Sequence, residues 1–142
     1  MTVIDANLLI YFYNEASEHH RRATTWLDAL INSTEQIGLP WITLWAFLRV
    51  STAPRVLPRP LSPEEAFAII RDWTEQPAVI VVQPGPRHAA ILERLVVGTG
   101  ARAGMVTDAA LAALAIEHGA TLASADHDFS RFPDLKWVNP LA

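Results

Sequence analysis

In the segment Ser124-Ala125-Asp126-His127-Asp128-Phe129, two aspartates flank one histidine directly after a small apolar run at 121–123. Carboxylates this close repel and raise one another's pKa, so the pair calls for a cation or a positively charged partner. Two more acids adjoin apolar stretches: Asp5 closes the run 2–4, and Asp108 stands at the head of the stretch 107–119. Lys136, the only lysine among eleven basic residues, is poorly placed to balance them. A hard divalent cation with oxygen ligands, Mg²⁺ or Mn²⁺, removes the conflict. The chemistry this suits is phosphodiester hydrolysis. Carboxylate-held metal polarises a phosphate oxygen, activates water and stabilises the leaving alkoxide, in many nucleases with two ions roughly 4 Å apart.

Each acid also has a purely structural reading. Asp is a preferred helix N-cap, which taken alone is the stronger explanation of Asp108 and, a little less strongly, of Asp5. A turn role explains Asp126 or Asp128, one at a time, about as well as function does. Their joint placement decides for a shared site. The histidines carry less: His127 is as readily an exposed turn residue as a functional one, His19, His20 and His88 read as solvated helix-face residues, and His118 complements a helix C-terminus. Trp41, Trp45 and Phe47 recur at helical spacing and read as core or partner-binding surface before they read as stacking platforms for bases. Arg55 and Arg59, in the Pro-rich loop 53–63, either touch a substrate phosphate or are simply solvated.

The elements that must position these acids alternate in type. Residues 2–4 form a strand closed by Asp5, and 6–14 a short helix. Apolar positions Ala23, Trp26, Leu27, Leu30 and Ile31 predict a helix over 18–31 with Ser17 as its cap. The stretch 39–52 is apolar on nearly all sides and predicts a deeply buried helix ending before Pro54. Ser62-Pro63-Glu64-Glu65 is a capping box with Pro at the first helical position, opening a helix over 62–73. The β-branched run 78–82 predicts a strand buried on both faces. Residues 86–97 form a helix that stops at Gly98-Thr99-Gly100, and 107–119 a helix that starts at Thr107-Asp108 and stops at Gly119. Strands follow at 121–124 and 136–140. This alternation implies a three-layer α/β/α fold with a mostly parallel sheet, in a single domain spanning residues 1–142. Ligands of such sheets bind beyond the C-terminal strand ends, where Asp5, Asp108, Asp126 and Asp128 can converge.

Length and composition narrow the function. At 142 residues and 51% hydrophobic content the chain can bury a substantial core. No apolar run approaches the roughly 20 residues of a membrane helix, so a soluble protein is expected. The N-terminus has an acid at position 5 and neither the basic flank nor the cleavage site of a signal peptide, which points to the cytoplasm. The absence of cysteine excludes disulfides and thiolate ligands. A net charge of −4 argues against holding nucleic acid by a broad basic surface, so any such contact is local.

The segments Val3–Phe12 (VIDANLLIYF) and 106–140 (VTDAALAALAIEHGATLASADHDFSRFPDLKWVNP), with the stretch 39–52 between them, resemble the PIN-domain ribonucleases and specifically the VapC toxins of bacterial VapBC pairs. The resemblance implies a PIN fold and metal-dependent cleavage of RNA. It makes Asp5 and Asp108 metal ligands and Asn7 a polar neighbour that orients Asp5. Asp126 becomes the acid at the end of the late strand, with Asp128 beside it as a further ligand and Ser124 as a small polar neighbour. It also implies a homodimer and a VapB-type antitoxin that docks near the early helices and reaches the acidic pocket with a basic side chain. One departure stands out: PIN domains commonly carry a Glu on the helix over 40–52, and here no residue from Pro40 to Thr52 is acidic. Leu44 or Ala46 occupies the place, depending on register, and Thr43 could offer a hydroxyl. The implied consequence is one weakly held ion, joined by a second only when RNA phosphate contributes oxygens. A PIN-fold binding protein with weak or no nuclease activity is the main rival. Phosphoacceptor receiver domains and haloacid-dehalogenase-type phosphatases rank lower, because both use a late Lys and the latter begin Asp-x-Asp, whereas here Asp5 pairs with Asn7.

Overall fold

In the computed structural model, which describes residues 1–142, the elements run β1 (Thr2–Ile4), α1 (Ala6–Tyr13), α2 (His20–Ile31), β2 (Ile37–Gly38), α3 (Trp41–Ser51), α4 (Pro63–Thr74), β3 (Val79–Ile80), α5 (His88–Thr99), α6 (Gly104–Glu117), β4 (Thr121–Ala123), a 3-10 helix (His127–Arg131) and β5 (Lys136–Val138). Every strand pairing is parallel and the spatial order is β3-β2-β1-β4-β5. Successive strand residues point to opposite faces, which divides the core in two. Ile4, Ile37 and Ala123 pack with α1 to α4, whereas Val3 and Leu122 pack with α5 and α6. The result is the expected α/β/α sandwich. Chain travel explains the layers: from β1 to β3 the strands step one way under α1 to α4, and the return to β4 crosses on the other face with α5 and α6.

The sequence expectations fail where a signal is short or sits at an edge. β2 was not anticipated, since two residues carry no periodicity. Gly38 is needed there, because a Cβ would come within 2.9 Å of methyls of Val3 and Val82. The run 78–82 contributes only Val79–Ile80 to the sheet, as an edge strand with Ile80 exposed rather than buried on both faces. α5 continues through Gly98 and ends at Gly100, whose φ of 69° suits a residue without Cβ. α2 starts at His20, two residues later than expected, and Ser17 accepts the His19 N–H in the preceding turn instead of capping the helix. α4 has the predicted capping box: Ser62 Oγ accepts from Glu65 N at 3.1 Å and Glu65 Oε1 accepts from Ser62 N at 3.0 Å, which satisfies two backbone donors at the helix start. On α3, Thr43, Leu44, Phe47 and Ser51 are buried, but Trp41 and Trp45 are not, so this helix is buried along one side only.

Candidate active site

From β1 the chain turns toward β2, and from β4 toward β5, so the connections leave these two neighbouring strands in opposite directions. A crevice opens there at the carboxyl ends of the strands. The register pairs Ile4 with Ala123, which sets the next residues, Asp5 and Ser124, side by side. Ser124 Oγ donates to Asp5 Oδ2 at 2.7 Å, and Asn7 Nδ2 donates to the same oxygen at 3.3 Å and to Ser124 Oγ at 3.2 Å. Asp5 Oδ1 accepts from Ala6 N at 2.8 Å, so the carboxylate caps α1 as well as facing the crevice. Its orientation is fixed from both sides. Burial pushes the Asp5 carboxyl above its ordinary range, partly opposed by the Ser124 and Ala6 hydrogen bonds and reinforced by the Asp126 charge.

Asp126 likewise has a structural bond, accepting from Asp128 N at 2.8 Å at the start of the 3-10 helix, and its own N–H donates to Ser124 Oγ at 3.0 Å. Asp108 does not. Its expected cap role is overturned because α6 begins one turn earlier, at Gly104, leaving Asp108 inside the helix with its carboxylate turned to the crevice. One oxygen from each of Asp108, Asp126 and Asp128 lies within 4.8 Å of the others. Burial, then the charges of Asp126, Asp5 and Asp128, push the Asp108 carboxyl up to about 6, against the opposing pull of Arg131. Three carboxylate oxygens this close, one from each acid, fit a divalent cation bound by oxygen. Arg131 Nη2 donates to Asp128 Oδ1 at 3.1 Å, which gives the outermost acid a cation of its own. Sequence reasoning missed this arginine, although its spacing of three from Asp128 was a usable signal.

A stability prediction follows from Asp108. A carboxyl whose folded pKa exceeds its unfolded value of 3.8 stabilises the fold while protonated, so that contribution is complete below about pH 4 and is lost as the pH rises through about 6. Asp5 acts with the same sign. Glu65 and Glu117, whose pKa values are lowered, act oppositely but only below their ordinary range. Metal-free protein should therefore melt at progressively lower temperature from about pH 4.5 to beyond 6, and Asp108→Asn should flatten that slope in calorimetric scans. An unchanged slope in the variant would refute the assignment.

The crevice widens into an open cleft of about 700 Å³, lined by Asp5 and Asp108 together with Trp45, Ala46 and Arg49 of α3. This settles the helix register. Ala46 faces the cleft where the carboxylate was expected, while Leu44 is 1% exposed and belongs to the core. Thr43 is also buried, and its hydroxyl donates to Ile4 O at 2.7 Å. It pins α3 to the end of β1 and does not line the cleft, contrary to its reading as an oxygen for metal. Trp45 and Arg49 on the cleft wall were not anticipated, because the apolar character of 39–52 concealed which side faces outward. His127 packs edge-on against Trp137, His118 is held at Gln83 O at 2.8 Å, and Arg55 lines a separate hollow with Pro54 and Pro58.

The PIN domain family model matches residues 2–135. Ribonuclease VapC37 of Mycobacterium tuberculosis is 42% identical over 142 residues, covering 100% of this chain and 99% of its own length. Ribonuclease VapC33 of the same species is 42% identical over 141 residues, covering 99% of each. Among solved structures, VapBC-1 from nontypeable Haemophilus influenzae superposes with a TM-score of 0.73 at 17% identity, covering 99% of this chain and 98% of that one. VapBC2 from Rickettsia felis, bound to a promoter DNA fragment, gives 0.70 at 19%, covering 97% of each. At these identities the structural likeness concerns the fold.

Proposed function

This chain belongs to the PIN domain family, and we propose that it is a metal-dependent endoribonuclease, the toxin of a VapBC-type toxin–antitoxin pair. The observation that carries this reading is the convergence of Asp108, Asp126 and Asp128 within 4.8 Å at the sheet's switch point, beside an oriented Asp5. Asp108, Asp126 and Asp128, with Asp5 behind them, would hold Mg²⁺ or Mn²⁺. When bound, the ion supplies Lewis-acid polarisation of a phosphate oxygen and acidifies a water.

The chain's own groups supply positioning and charge balance. Asn7 and Ser124 hold Asp5 Oδ2 in one orientation, so the deepest carboxylate need not reorganise as substrate arrives. Asp108 turns its carboxylate from within α6 into the crevice, where it adds an oxygen to those of Asp126 and Asp128. Arg131 holds Asp128 and limits the negative charge that an approaching phosphate meets.

The partner belongs to the same proposal. A VapB-type antitoxin docks in an apolar groove of about 450 Å³ near the early helices, lined by Phe12, Tyr13, Ile31, Trp73 and Val79. It reaches the carboxylates with an Arg fork, which competes with metal. The toxin acts in the cytoplasm as a homodimer, and no helix of the chain is long and apolar enough to cross a membrane. A phosphoacceptor receiver is disfavoured by the sheet, since that class orders its strands 2-1-3-4-5 and this chain orders them 3-2-1-4-5. One observation favours the second reading, a PIN-fold binding protein without nuclease activity: Ala46 leaves the site one carboxylate short. Incubating metal-free protein with total RNA, with and without Mn²⁺ or Mg²⁺, and mapping new 5′ ends separates the two. New ends are expected only with metal. No new ends under any condition would establish the binding reading.

A further inference from the structure

We infer that Trp45 and Arg49 form a substrate platform that seats an unpaired RNA base beside the acidic cleft. This inference rests on the ribonuclease reading above. On α3, Trp41, Trp45 and Arg49 recur every four residues, a single stripe with steps of about 6 Å along the axis. The opposite side is spent on the core through Leu44 and Phe47. The Trp45 side chain is 63% exposed, the largest exposure of any aromatic residue in the chain, and it lines the same cleft as Asp5 and Asp108.

Arg49 stands one turn further along the same wall and is exposed. It takes part in none of the chain's ion pairs, which join Met1 to Glu35, His19 to Glu18, Arg94 to Asp134 and Arg131 to Asp128. An indole face without cover and a guanidinium without a counter-charge, side by side, match the two parts of a nucleotide. The base offers a flat π face and its phosphate accepts the Arg fork. Stacking also discriminates between RNA forms. In a duplex the base faces are hidden within the helix, whereas single-stranded bases can be splayed onto an aromatic ring.

The test measures binding separately from cleavage, using the full-length protein in an Asp108→Asn background so that bound RNA is not cut, a short fluorescein-labelled single-stranded RNA of mixed sequence, and its blunt duplex. Trp45→Ala is expected to weaken single-strand binding, read by anisotropy, by roughly 10- to 100-fold. Its effect on the duplex should be small and its Mn²⁺ titration unchanged. Trp45→Phe should restore most of the single-strand affinity, which a role confined to folding would not require. Equal single-strand binding by wild type and Trp45→Ala would overturn the platform, as would equal losses for single strand and duplex. A Trp45→Ala loss accompanied by a changed sedimentation mass would overturn it too, assigning Trp45 to a contact between copies. RNA that binds through Trp45 but is never cut by the protein with Asp108 intact would leave the platform standing and remove the nuclease reading. Cleavage with the same KM in wild type and Trp45→Ala would do the reverse.

Discussion

Asp108→Asn should abolish RNA cleavage, lowering the rate by more than about 100-fold, beyond what the loss of an outer partner of a metal ligand costs, while the metal-free protein melts at the same or a higher temperature. The two halves of this result have separate causes. Asp108 lies within α6 and its carboxylate is held by no hydrogen bond of the chain, its pKa being set by burial and by neighbouring charges alone. Removing the charge therefore leaves no donor unpaired and relieves repulsion among the acids. Activity falls because the same carboxylate is a proposed metal ligand. Asp5 gives a less clean experiment. Asp5→Ala also removes the cap on Ala6 N and strands Ser124 and Asn7, so a loss of about 0.5–2 kcal/mol of stability would accompany the loss of activity. Cleavage at the wild-type rate by correctly folded Asp108→Asn would remove Asp108 from the mechanism.

Ala46→Glu should tighten Mn²⁺ binding by on the order of tenfold, because affinity for a hard cation rises with the number of charged oxygen ligands. Ala46 lines the cleft with Asp5 and Asp108, so a longer acidic side chain there adds a carboxylate to the same cleft. The wild type, one acid short, should bind a single ion weakly in the absence of RNA. Calorimetric titration reads both: tight binding of two ions by the RNA-free wild type, or no gain in the variant, would contradict the account. Leu44→Glu is the internal control. Leu44 is 1% exposed in the core beneath α3, so that substitution should unfold the protein instead of improving the site.

The sequence alone determined the layered α/β/α architecture, the helices over most of their length, and the identity of the four acids. These are local properties: β-branched runs, helical periodicity, the Ser62–Glu65 capping box and Asp placed directly after a strand each report on a few neighbouring residues. Tertiary structure alone decided what those acids are to one another. The parallel pairing of Ile4 with Ala123 sets Asp5 against Ser124 across 119 positions of chain, and no local pattern encodes that register. It also decided that Asp108 is not a cap. The turn at Gly104–Val106 precedes the Thr107-Asp108 signal and has no side-chain cap of its own, so no local pattern announces it. The edge position of β3, the existence of the two-residue β2 and the outward face of α3 were hidden for the same reason. An apolar residue reads alike in a sequence whether it meets the core or a cleft, and only the packed neighbours of Leu44, Trp45 and Ala46 tell the three apart.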